Sequence, residues 1–427
     1  MAGPLLVLLG PSAWEGPFVA ALAHPASGVA IARRCLDPAD LLASASACLG
    51  GAALVGADAP RLDADVLARL GTLGIPVLGL VEAGDAEAAR RLAHWGAADV
   101  VEADPADLGA AVRRVAAAVR RVAAAVCSAG TPAPVAVDDA DEVHGQGRVV
   151  AVWGPPGAPG RTSVAVALAD EAARLGSRVL LVDADTWAPS VPVVLGLVDD
   201  GPGLASACRR ALAGTLDLHA LAAVARELRP DLLVLPGIPR AGRWTEVRGA
   251  ALSEVLAVAR GLADLVVVDV AAPLESDEEL VFDTAAPRRN AAALVALEEA
   301  DLVLAVGSAD PVGLVRLVAG LSELADAVRG VEVRVVLTRV RQGSLGPRPG
   351  PAAAEALSRH AGVEHVLLVP DDRPAYDASL RDGRTLAEAA PSSPARHALR
   401  GLAVEVLRDL GLRAPAPLAA AGGRGRR

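Results

Sequence analysis

The 427-residue chain contains no lysine; all 41 of its basic residues are arginine. With one asparagine, one tyrosine and two phenylalanines beside an excess of Ala, Gly, Pro and Arg, the composition reads as coding bias in a GC-rich genome. That bias alone can put Arg where another protein would use Lys. Cysteine is also scarce. Cys35, Cys48, Cys127 and Cys208 stand far apart, with no CxxC pair and no His at ligand spacing, which argues against a zinc site and a disulfide framework. Long hydrophobic runs are missing as well. Apolar residues make up 53% of the chain, but in short runs such as 4–9 and 265–268, far below the roughly 20 residues that a bilayer demands. The run at 4–9 has no basic residues before it and stops at Gly10-Pro11, unlike a secretory signal, so a cytoplasmic location is expected. A net charge of −10 has the wrong sign for holding nucleic-acid phosphates without sequence preference, and nucleic acid is not an expected partner.

What is present is a twofold alternation of strand-like and helix-like segments. The length exceeds what one core usually serves. Across 1–126, the runs Leu5–Leu9, Ala52–Gly56, Ile75–Val81 and Asp99–Val101 alternate with Ala/Leu-rich helical stretches, predicting a doubly wound parallel α/β domain. Its closing helix, 111–126, spaces Val112, Val115, Val119, Val122 and Val126 as a stripe with paired Arg between. Such a stripe serves either as an ordinary core face or as a short dimer seam. Residues 127–147 are rich in Pro, Gly and acid without apolar period, which marks a linker. A second α/β alternation covers 148–413, and the tail 414–427 has nothing to bury and is expected to be disordered. Residues 396–413 read as a packed helix rather than an amphipathic membrane anchor, so no direct anchor is expected.

The second alternation opens with chemistry. The strand Val149–Trp153 runs into Gly154-Pro-Pro-Gly-Ala-Pro-Gly-Arg-Thr-Ser163, and a helix follows to Leu175. Strand, glycine-rich turn and helix in this order present backbone N–H groups and a helix N-terminus to phosphates. Gly157, Ala158 and Gly160 allow close approach, Arg161 brings positive charge, and the hydroxyls of Thr162 and Ser163 reach toward a phosphate-bound Mg²⁺. A strict GxxxxGK[ST] fails at Pro155 and Arg161. Two later strands end in carboxylates, Asp183-Ala-Asp185 and Asp269, the groups that a P-loop ATPase uses for its metal shell and attacking water. The plainer alternative is that Asp183 and Asp269 only cap the turns that follow their strands.

This ordered set resembles the deviant P-loop ATPases of the MinD/ParA class, and within it the CpaE/TadZ-like proteins of pilus assembly. The resemblance covers about 148–410 and extends through Pro189-Ser190, Leu195-Gly-Leu197, Asp310-Pro311, Val335–Val340 and Val369-Pro-Asp-Asp372. It implies Mg²⁺ and ATP as ligands, with Thr162 on the metal, Asp183 supporting the metal shell and Asp269 as the Walker B aspartate. It also implies Asp185 and Arg161 as catalytic groups, and Thr338, Arg339 and the backbone near Pro370 at the nucleobase. The chain departs from the family where a signature Lys and a phosphate Lys belong, at Pro156 and Arg161, and Thr338 stands where Asn is common. Without the signature Lys an ATP-sandwiched homodimer loses a charge-neutralising group, and Arg is no conservative replacement at a crowded phosphate site.

The first alternation, over about 4–125, resembles a two-component receiver. Its catalytic positions read Gly10-Pro11, Gly56 and Ala103, with Asp58 two residues beyond the acceptor position, so a degenerate, phosphorylation-inert receiver used for docking is expected. The two resemblances together imply an ATP-binding protein that organises a membrane-associated machine, a Flp-type pilus or secretion apparatus, through protein partners and with weak or absent hydrolysis. Two other readings remain: a nucleotide-independent scaffold, favoured by the missing signature Lys, and a ParA-like partition or septum-site ATPase, which the acidic balance opposes.

Overall fold

The computed structural model describes residues 4–128, 147–197, 201–275, 287–343 and 345–412. The predicted tail, and nearly all of the predicted linker, lie outside them. Two separate sheets organise the described residues. The first contains β1 (Leu5–Leu8), β2 (Ile31–Arg34), β3 (Ala52–Gly56), β4 (Val77–Glu82) and β5 (Asp99–Ala103). Between and after them come α1 (Glu15–Ala23), α2 (Pro38–Ser46), α3 (Ala64–Thr72), α4 (Ala86–His94) and α5 (Leu108–Ser128). All pairings are parallel in the order β2-β1-β3-β4-β5, the flavodoxin-like doubly wound arrangement.

Side-chain alternation in β1 shows why two helical layers are needed. Leu5 and Val7 face α1 and α5, whereas Leu6 and Leu8 face α2, α3 and α4. Val112, Val115, Val119 and Val122 are all buried in the first of these layers. These four valines of α5 thus form a core face of their own unit, not a free dimer seam, and the side chain of the fifth, Val126, lies outside the described residues.

The second sheet has eight strands in the order β13-β12-β11-β6-β10-β7-β9-β8. They are β6 (Arg148–Trp153), β7 (Val179–Ala184), β8 (Arg226–Arg229), β9 (Leu232–Leu235), β10 (Leu265–Val270), β11 (Leu302–Ser308), β12 (Glu332–Val340) and β13 (Val366–Pro370). Only β8 runs antiparallel, against β9 at one edge. One face is covered by α8 (Gly203–Leu212), α9 (Leu218–Val224), α10 (Gly249–Leu262), α11 (Ala291–Glu298), α12 (Pro311–Ala327) and α13 (Pro349–Ala361). The other carries α6 (Arg161–Arg174), the short α7 (Val191–Val194), α14 (Arg373–Asp382), α15 (Leu386–Ala389) and α16 (Pro394–Asp409). Central strands covered on both faces read as unbroken apolar runs, as Val149–Trp153 does.

The predicted C-terminal helix packs as expected. Leu399, Leu402, Ala403, Val406 and Leu407 are buried, and Arg396 and Arg400 of α16 reach the buried Glu171 of α6 at 2.7 and 2.9 Å. No described helix is long and apolar enough to cross a membrane.

The two units touch through α3, α8 and α10. Asp65 of α3 accepts the Ala250 N–H at 2.8 Å, serving as a cap for the first turn of α10 supplied by the other unit. Beside it Arg248 pairs with Asp63, and Trp95 Nε1 donates to the Leu212 carbonyl at 3.0 Å.

Candidate functional site

The loop between β6 and α6 turns on two glycines in the left-handed region, Gly157 at φ 78° and Gly160 at φ 99°. Gly160 is the N-cap of α6, and the N–H groups of the first turn, at Arg161, Thr162 and Ser163, have no acceptor within the helix. Prolines at 155, 156 and 159 bring no N–H at all, and the Ala158 N–H is spent on the Pro155 carbonyl at 3.0 Å. The donors left to face an anion are therefore those of Gly157, Gly160 and the first turn of α6. Gly157 is overhung by Arg316 of α12, whose Nη1 lies 2.3 Å from where a Cβ would stand.

Arg161 does not extend into the space before the loop. Its Nη1 donates to the Gly154 carbonyl at 3.0 Å, and its Nη2 lies 3.6 Å from Asp185 Oδ2. Asp185 is buried, and its Oδ1 accepts the N–H groups of Trp187 and Ala188, both at 2.8 Å. The carboxylate thereby shapes the turn that follows β7.

Strand register brings the other two carboxylates together. Both lie within their strands, Asp183 of β7 opposite Asp269 of β10, and only Asp183 also binds the N–H groups of the segment that follows its strand. Both are buried. Asp183 has both oxygens on backbone N–H groups, Oδ1 on Asp185 at 3.3 Å and Oδ2 on Val191 at 3.1 Å. Asp269 Oδ2 accepts the Thr162 hydroxyl at 2.7 Å, but its buried Oδ1 has no hydrogen-bond partner. The Thr162 oxygen also lies 3.1 Å from Ser190 Oγ. Burial pushes Asp269 up to about 7, against the lowering hydrogen bond from Thr162. Asp183 is raised well above the usual carboxylate range, first by burial and then by the charge of Asp269.

An orphaned buried carboxylate oxygen beside a hydroxyl, with a second acid adjacent, suits a divalent cation: it would satisfy Asp269 Oδ1 and restore the charged form. No group of three His, Cys, Asp or Glu among the described residues is arranged to hold a metal. A Mg²⁺ that keeps its waters and takes one or two protein oxygens needs no such cage.

Next to Gly160 and Ser163 opens a cavity of about 600 Å³. Thr338, Arg339 and Pro370 line it, so the residues expected from opposite ends of the unit do meet there. The Thr338 hydroxyl, however, is turned to the carbonyls of Pro159 at 2.8 Å and Gly307 at 3.1 Å, bracing the loop rather than facing the cavity. Arg341, Asp371, Tyr376 and Asp377 also line it; of these only Asp371 falls in a quoted motif, Val369-Pro-Asp-Asp372. Burial and the nearby Asp372 push Tyr376 up to about 12.

In the first unit, Asp58 lies across Gly10, accepting its N–H at 3.3 Å. A Cβ on Gly56 would come within 2.7 Å of Asp58 Oδ1.

Sheet order, loop and paired carboxylates make a doubly wound α/β unit with a mostly parallel sheet. Its fold is like that of solved MinD/ParA-type ATPases. Among solved structures the chain is similar to a ParA family ATPase from Chlorobium tepidum TLS, with TM-score 0.51 and 18% identity over 60% of this chain and 98% of that one. It is similar also to the septum site-determining protein MinD complexed with Mg-ADP from Pyrococcus horikoshii OT3, with TM-score 0.50 and 22% identity over 63% of this chain and 99% of that one. At such identities the likeness is one of fold. No protein-family model matches the sequence, and no curated protein matches it.

Proposed function

We propose that the chain binds Mg²⁺ and ATP at the β6–α6 loop and acts as a positioning protein with weak or absent hydrolysis. The observation that carries this reading is Asp269: a buried carboxylate with one free oxygen, next to the Thr162 hydroxyl at the head of α6. The N–H groups of Gly157, Gly160, Arg161, Thr162 and Ser163 would hold phosphate, and Ala158 lets the loop approach closely. Thr162 and Asp269 would hold the metal, with Asp183 supporting the metal shell from beside Asp269 while it fixes the β7 exit through the N–H groups of Asp185 and Val191. A bound Mg²⁺ would neutralise phosphate charge. The base would lie in the 600 Å³ cavity against Arg339 and Pro370. Hydrolysis would suffer because catalysis needs charge placed on the developing transition state, and Arg161 is held on Gly154 and Asp185. Asp185, which shapes the turn beyond β7, is the residue to orient water in whatever turnover remains.

Within this class the two-unit order supports a CpaE/TadZ-like role in the cytoplasm: a degenerate receiver at 1–126, joined by 127–147 to the ATPase-like unit at 148–413, recruits protein components of a pilus or secretion machine. The neighbour from Pyrococcus horikoshii holds Mg-ADP, in keeping with the ligands proposed here. Calorimetric titration with ATP and ADP, with and without Mg²⁺, tests the reading. Metal-dependent binding is expected, and no binding at millimolar nucleotide would overturn it. That outcome would favour a nucleotide-independent scaffold, for which the prolines at 155, 156 and 159 and the inward Arg161 are the specific observations.

A further inference from the structure

Downstream of Asp185 the chain presents Thr186 and Trp187, and two residues remote in sequence grip them. Arg289 donates to Thr186 Oγ1 at 3.1 Å and to the Thr186 carbonyl at 3.0 Å. Its guanidinium lies 4.0 Å from the centre of the Trp187 ring and 5.2 Å from that of Trp244, within stacking range of both. The next residue, Asn290, accepts from Trp187 Nε1 at 2.9 Å and donates to the Glu275 carbonyl at 2.9 Å. Asn290 is buried, while the Trp187 ring is 46% exposed. A half-exposed indole held by a cation on its face and an amide at its edge is fixed by these contacts, not by a surrounding core.

Both gripping residues belong to the head of α11, and Asn290 is its N-cap. The same helix reaches the junction of the two units. Arg288, Ala291, Leu294 and Glu298 line a cavity of about 240 Å³ whose opposite wall is Asp65 and Arg69 of α3. One short helix therefore holds the turn set by Asp185 at its head and, along its side, faces the first unit across this cavity.

We propose that Arg289 and Asn290 are positioning residues: they clamp the Thr186–Trp187 turn that Asp185 shapes, and α11 carries a change in that turn to α3 of the first unit. The inference rests on nucleotide binding at the β6–α6 loop and deepens that reading by naming how the bound state is passed on. Neither residue touches the nucleotide space described above. Their effect is on the placement of Asp185 and on the inter-unit cleft.

The test uses the full chain. Acrylamide quenching of tryptophan emission, with Trp187→Phe to isolate the Trp187 share, reads the clamp without any ligand. Arg289→Ala should raise the quenching constant of Trp187 at least twofold, and Asn290→Ala should do so to a lesser degree. Hydrogen–deuterium exchange over 64–72 then reads the transmission. Mg-ATP should alter exchange there in the parent chain, while Arg289→Ala binds Mg-ATP within about tenfold of the parent, by calorimetry, and shows no change at 64–72. Unchanged Trp187 quenching in Arg289→Ala, or a nucleotide response at 64–72 that survives it, would overturn the clamp. If the parent chain binds no nucleotide, the functional reading fails on the calorimetry, and the quenching result still decides whether the turn is clamped.

Discussion

Arg161 Nη2 lies 3.6 Å from Asp185 Oδ2 while Arg161 Nη1 donates to the Gly154 carbonyl at 3.0 Å, so the cation of the loop is turned onto its own backbone. Residues 154–163 contain no other basic side chain. Phosphate held by N–H groups does not need Arg161, whereas acceleration of transfer does need a cation placed at the reacting centre. Asp185→Ala should therefore keep ATP affinity within about tenfold, roughly 1.4 kcal/mol, and remove residual turnover measured by phosphate release. Arg161→Lys, with a compact and flexible cation, should raise turnover without unfolding the protein. Turnover that persists in Asp185→Ala would remove Asp185 from the reaction.

Asp269 gives a dependence on pH with a definite sign. Burial raises its folded pKa from 3.8 to about 7. Below 3.8 both folded and unfolded forms are protonated; from there to about 7 the unfolded chain ionises while the folded one keeps its proton, so this group's contribution is lost as pH rises. Asp269→Asn, whose amide oxygen can still accept from Thr162, should be more stable relative to the parent at pH 8 than at pH 5, in urea unfolding without metal. Equal differences at the two pH values would show that Asp269 ionises freely. Saturating Mg-ATP should reverse the ranking at pH 8, because the parent regains a counter-charge that the variant cannot use.

Sequence pattern revealed the central strands because burial on both faces leaves unbroken apolar runs, as in Val149–Trp153 and Leu265–Val268. It did not single out β2, where Ile31-Ala-Arg-Arg34 lies at an edge with three exposed residues. Loop and carboxylates were legible as an ordered set, but their partners were not. Thr162 meets Asp269 across 107 positions and Arg289 meets Thr186 across 103, and no local period encodes such pairs. The inward turn of Arg161 follows from the Gly154 carbonyl and Asp185 standing on either side of it, which only the assembled sheet supplies.

The first unit should be inert to acetyl phosphate and Mg²⁺ by intact-mass measurement. Asp58 is engaged with the Gly10 N–H, no acid stands between β1 and α1, and Glu15 at the head of α1 is paired with Arg34. An added phosphate that disappears in Asp58→Ala would refute inertness. Gly56→Asp should not restore acceptance either, since the metal-binding acids are still missing.

Gly160 is a position where the loop tolerates little. Its φ of 99° lies in the left-handed region, and a Cβ there would stand 3.1 Å from Thr338 Cγ2. Two costs combine in Gly160→Ala: backbone strain of about 1 to 2 kcal/mol, and a push against the side chain whose hydroxyl braces the Pro159 carbonyl. Thr338→Ser removes the methyl that the new Cβ meets and keeps the hydroxyl, so it should relieve the second cost and leave the first. In urea unfolding, Gly160→Ala should be destabilised, and Gly160→Ala with Thr338→Ser should recover only part of the loss. Nucleotide affinity should fall in both, because the strained glycine also aims the first-turn N–H groups of α6. A Gly160→Ala chain with parental affinity for Mg-ATP would show that the phosphates are held elsewhere than on this loop.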